Sequence, residues 1–158
     1  MRRSVFSGGA FFYDRYIMWK YKFLEDVAIA DVAFVAQGKS LEELFANCAT
    51  AAFEVMVDTK QVAIRQKRNI RLENDKVEEL LVDWLSELMF LKDKDKILFK
   101  EFRIGIKKSG IYRLEAQALG EKINTKRHRL RTDVKAVTYH LLDVYKKRNW
   151  MARVVLDV

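Results

Sequence analysis

Residues 131–158, RTDVKAVTYHLLDVYKKRNWMARVVLDV, constrain this chain more than any other stretch. They read as a long strand over 132–145, a tight basic turn at Lys146-Lys147-Arg148-Asn149, and a closing strand over 150–158. The last residues of most proteins fray. Here the sequence stays apolar and β-branched to Val158, which predicts a tail held inside a sheet. Asp157 and the Val158 carboxylate then stand side by side at a strand end. Two carboxylates fixed there are costly unless something positive sits between them. A bound cation is one answer, and a nearby Lys or Arg is the other.

The preceding chain supplies the rest of a core. Residues 19–24 form a candidate strand, and the acid-bearing residues 25–31 lead into a second over 31–37. In that strand Val32, Phe34 and Ala36 share one face and Ala33 and Val35 the other, so both faces are largely apolar. Gly38 ends it. Ser40-Leu41-Glu42-Glu43 fits a capping box, with Ser40 as the cap and Glu43 reaching back. Leu41, Leu44, Phe45, Cys48, Ala52 and Val55 then recur at helical spacing. Cys48 lies on that stripe and reads as a small buried hydrophobe rather than a reactive thiol.

Residues 61–72 look like one or two exposed strands with a solvated basic face. A second helix is expected from Asn74 or Asp75, burying Val77, Leu81, Trp84, Leu85 and Leu88. Lys92-Asp93-Lys94-Asp95-Lys96 reads as a charged exit loop without metal-loop spacing. Two alternating strands over 97–106 and 111–119 flank a turn at 107–110, and 120–130 reads as a polar, basic loop. The order is β-β-α-β-α followed by four strands. It predicts an α+β fold, a single two-layer domain with two helices packed on a mixed, mostly antiparallel sheet. Residues 1–17 do not match the rest. They lack the continuous apolar core of a signal peptide and read as an N-terminal extension or an added edge strand, leaving 18–158 as the domain.

Composition narrows the chemistry. One cysteine excludes a disulfide within the chain, and with two histidines a Cys/His zinc site is out of reach. A reducing, cytoplasmic setting is the simplest reading, and no apolar run approaches a membrane span. The net charge of +8 favours an acidic partner. No nucleophile elbow, phosphate loop or dinucleotide fingerprint is present. The acids and the two histidines remain. His128 lies in the basic loop and His140 in a strand, and Arg127, His128, Lys135 and His140 are candidate partner or phosphate contacts. If the strands starting at Asp31 and ending at Asp157 are antiparallel neighbours, Asp31 faces Asp157 and the terminal carboxylate. Such an all-oxygen set suits a hard cation, Ca2+ or Mg2+.

Seven stretches in order carry a family resemblance. They are Phe23-Leu24-Glu25 with Ala30-Asp31-Val32-Ala33-Phe34, the run from Gly38 to Phe45, and Phe53 to Asp58. Leu81 to Leu88, Gly120-Glu121 with Arg127-His128, Val134 to His140, and Val154 to Val158 follow. The chain resembles archease, the small activator of RtcB-type RNA ligases, over about residues 21–158. The resemblance implies a cytoplasmic, non-catalytic protein. It would speed GTP-dependent guanylylation of the ligase and its repeated turnover in tRNA splicing and RNA repair, meeting tRNA only through the ligase. It also implies a divalent metal site at Asp31 and Asp157 by side chain and at Val158 by main-chain oxygen. The family usually reads His-Thr-Ala-Asp before the first strand, where this chain has Ala28-Ile29-Ala30-Asp31, keeping the acid and not the histidine. The competing reading is a basic module that holds RNA or chaperones RNA-modifying enzymes.

Overall fold

The computed structural model describes residues 19–25 and 31–158. The expectations for residues 1–17 and for Ala28 fall outside them. The elements follow the predicted order: β1 (Tyr21–Leu24), β2 (Asp31–Gly38), α1 (Leu41–Met56), β3 (Gln66–Asn74), α2 (Val77–Asp95), β4 (Ile97–Ser109), β5 (Ile111–Lys122), β6 (Ala136–Lys146) and β7 (Trp150–Asp157).

The fold is α+β, but its strands form two sheets rather than one. The first runs β1-β2-β7-β6 and the second β3-β5-β4, with every pair antiparallel. Each late hairpin, β4-β5 and β6-β7, has recruited a different earlier strand, so β5 and β7 are the paired centres. Each helix touches both sheets, α1 through β2 and β4 and α2 through β6 and β3. This explains why α1 is buried well beyond one stripe, with Asn47, Ala49, Ala51 and Glu54 enclosed beside Leu44, Phe45, Cys48 and Phe53. Trp84 of α2 is fully buried and donates its indole N–H to the Phe45 carbonyl at 3.1 Å, tying the helices together. Burying a side chain of this size stabilises by roughly 1.5–3 kcal/mol.

Local chemistry sets the boundaries. Ser40 Oγ accepts the Glu43 amide at 3.1 Å and starts α1. α2 starts later than the sequence suggested. Asn74 Oδ1 accepts the Lys76 amide, which turns the chain, and the first helical residue is Val77. It also ends later. Residues 92–95 are helical and Lys96 adopts a left-handed conformation at φ 53°, so the expected exit loop is the last turn of α2. Residues 61–65 lie outside the strand, which covers Gln66–Asn74 alone. β5 extends through Lys122, so residues 120–122 are strand rather than loop. Gly120 is required there: any Cβ would run into the Leu98 carbonyl where the β4 register shifts.

Candidate functional site

The strand pairing assumed from the sequence is present. β2 and β7 are antiparallel, and Asp31 stands directly opposite Asp157. Opposed residues of an antiparallel pair share a face, with Cβ atoms about 4.5–5.5 Å apart, and like charges so placed destabilise the sheet. Both side chains are half-buried, as is Val158. Among the described residues no cation lies within ion-pair distance of either carboxylate. No third His, Cys, Asp or Glu among the described residues joins them. The donor set is all oxygen and its charge is uncompensated, which fits a hard divalent cation.

A strap locks the far side of this strand end. β6 begins next to it, with Ala136 opposite Asp157, and the Lys135 amide donates to the Asp157 carbonyl at 2.8 Å. Upstream, the amides of Arg131 and Thr132 donate to Met56 and Val55 at the end of α1, and Asp58 donates to the Arg129 carbonyl. Arg131 also reaches the buried Glu54 carboxylate at 3.0 Å. On α2 the Lys92 side chain, 4% exposed, binds Asp133 and Asp93. Burial pulls the Lys92 ammonium down, yet the hydrogen bonds from Asp133 and Asp93 outweigh it and leave it raised. The carboxylate end and the helix ends are therefore one continuous structure.

The other predicted contact residues divide. Lys135, just before β6, and His140, within it, are exposed. Arg127 and His128 are engaged elsewhere. His128 is 3% exposed, its Nδ1 accepts the Asn124 amide at 2.9 Å, and its Nε2 lies 2.9 Å from Glu121. Arg127 grips both Glu121 oxygens and the Gln61 carbonyl. Glu121 also accepts the Ala63 amide and faces Arg65 at 3.4 Å. Its carboxyl is held far below the usual carboxylate range, first by the Arg127 hydrogen bond, which overcomes burial, and then by Ala63 and His128. The histidine is thus not presented to a ligand, because a buried carboxylate needs it. Sequence reasoning includes Gly120-Glu121 with Arg127-His128 as a family stretch but assigns Glu121 no role. The available signal was an acid directly after the apolar run Ala118-Leu119-Gly120, followed by five cationic side chains and a histidine before residue 132.

Cys48 is fully buried and burial pushes its thiol up, as expected of an inert core residue. No helix among the described residues is long and apolar enough to cross a membrane.

The chain matches the Archease protein family (MTH1598/TM1083) over residues 21–158. It is 44% identical over 142 residues to the protein archease of Methanosarcina barkeri, covering 88% of this chain and 96% of that one. Against the protein archease of Methanothermobacter thermautotrophicus it is 41% identical over 132 residues, covering 82% and 93%. The solution structure of Methanobacterium thermoautotrophicum protein 1598 superposes with a TM-score of 0.77 at 40% identity, covering 87% of this chain and 98% of that one. At 19% identity, the crystal structure of an archease from Thermotoga maritima, described as a possible chaperone, shares the fold with a TM-score of 0.57, covering 83% and 93%.

Proposed function

Because the chain belongs to the archease family, we propose that it is a non-catalytic cytoplasmic activator of an RtcB-type RNA ligase. It promotes GTP-dependent guanylylation of the ligase's histidine and multiple turnover in tRNA splicing and RNA repair. The observation that carries this reading is the register of Asp31 against Asp157 at a strand end. An isolated stabilising role would set a cation between such acids; here they face each other.

Asp31 and Asp157 by side chain, and Val158 by main-chain oxygen, are the residues that would hold Ca2+ or Mg2+. When bound, such an ion supplies positive charge where phosphates accumulate negative charge. The chain's own part is placement. Pairing of β2 with β7 fixes the carboxylates at one level, and the Lys135 amide fixes the Asp157 main chain. The Lys135 side chain is exposed to solvent. GTP is bound and consumed by the ligase, and RNA is met through it.

The test is single-turnover guanylylation of the cognate ligase with this protein, with Asp157→Ala, and with neither. The expected result is a rate rise that Asp157→Ala abolishes. A rise that survives the substitution keeps the partner and removes the carboxylate mechanism; no rise removes the partner.

A second reading has its own observation. Arg65, Lys122, Lys126 and Arg127 line, with Glu121, an open depression of about 660 Å3 whose cations outnumber its acid, a shape and charge suited to an RNA backbone in a chaperone-like module. It predicts RNA affinity without ligase that falls steeply with salt.

A further inference from the structure

β6 is the edge of the four-stranded sheet, and it is not a regular strand. Thr138 pairs with Val155 and Asp143 with Arg153, so Tyr139, His140, Leu141 and Leu142 all stand opposite the single residue Val154. The chain is thrown outward there. Leu141 takes a left-handed φ of 56°, a conformation costly for a residue with a Cβ. It is held by Arg153, whose Nε donates to the Leu141 carbonyl at 2.8 Å. The result is exposure of apolar side chains that a regular edge could tuck away. Tyr139 is 61% exposed and Leu141 49%. Among the described residues six large hydrophobics are exposed, and three of them (Tyr139, Leu141 and Tyr145) lie on this strand.

We infer that this bulge is the docking anchor for a protein partner whose surface offers an apolar pocket ringed by acids. The inference rests on the ligase reading above and names that ligase as the occupant. Three observations select it. The bulge lies three residues along β7 from Asp157, about 10 Å, so Tyr139 and Leu141 are within reach of a protein-sized body that receives the carboxylate pair. The exposed cations Lys135, Lys146, Lys147 and Arg148 flank it, with Asp143 the acid on the strand, so the complementary rim is acidic. A second copy of this chain is disfavoured, because a wide bulge breaks the row of amides and carbonyls that edge-to-edge pairing needs. An RNA base has a use for Tyr139 but none for an aliphatic side chain kept in a strained backbone.

The test uses the full chain and the cognate ligase, with affinity read by interferometry and stability by thermal unfolding. Leu141→Gly is the decisive variant, since glycine accepts a positive φ freely and the fold is retained. Tyr139→Ser is the second. The expected result is ligase binding weakened about tenfold or more in each variant, with the Leu141→Gly melting temperature at or above that of the parent chain. Ligase binding by both variants within about twofold of the parent chain overturns the anchor, as does loss of affinity for single-stranded RNA alone. A parent chain that sediments as a dimer and a Leu141→Gly variant that sediments as a monomer overturn it in favour of self-association. A parent chain that neither binds nor speeds the ligase overturns the underlying reading. One that speeds it while the variants bind equally well overturns only the anchor.

Discussion

Two acidic centres of this molecule are joined by residues 129–135 and are built in opposite ways. Glu121 is enclosed by Arg127, His128, Arg65 and the Ala63 amide. Asp31 and Asp157 face each other with no cation at ion-pair distance among the described residues. A carboxylate that serves the fold is neutralised by the fold. The Asp31–Asp157 pair has no such compensation among the described residues, so the two centres differ in pairing more sharply than in exposure.

The comparison can be broken first at Glu121. Glu121→Ala leaves the His128 ring and the Ala63 amide without their acceptor in a buried place. It should cost about 3 kcal/mol in urea unfolding, and an unchanged midpoint would remove its structural role. The same centre sets an acid limit. The folded Glu121 carboxyl lies well below its ordinary value of 4.5. Its contribution is therefore fully present above that value and is lost as the pH falls below it. Glu121→Gln should flatten the loss of stability between pH 5 and 3 relative to the parent chain.

A comparable effect is expected at the other centre only when metal is added. Ca2+ at about a hundredfold excess over its Kd should stabilise the parent chain by about 2.7 kcal/mol and leave Asp157→Asn unmoved. A shift of the same size in both would place binding elsewhere. Ser40→Ala provides a calibration, because it removes the α1 cap and touches neither centre. It should cost about 1 kcal/mol and preserve the Ca2+ response. The smallest effect has the opposite sign. In chelator, Asp31→Asn relieves a like-charge pair and should raise stability by a few tenths of a kcal/mol; a loss would mean that Asp31 has a structural partner.

The element order, the Ser40 cap and the α2 core residues were legible because hydrophobic period and capping are local features, whereas the Asp31–Asp157 pairing was only assumed from the strand ends and is supplied by the β2–β7 register. Three things were not legible. The division into two sheets depends on which earlier strand each hairpin recruits, and alternation is blind to that choice. Glu121 was hidden by the average polarity of its neighbours, although its position in β5 points it inward. The bulge in β6 was invisible because Tyr139 and Leu141 continue a strand-like pattern, and only the pairing with β7 reveals the extra residues.

β7 lies between β2 and β6, and it is the last strand in the sequence. Asp31 and Asp157 are 157 − 31 = 126 residues apart. Local helices and hairpins form quickly, whereas pairings over such a span are slow and late. The carboxylate pair therefore comes into being only when β7 has paired with β2. A chain in which β2 and β7 have not yet paired cannot display the pair.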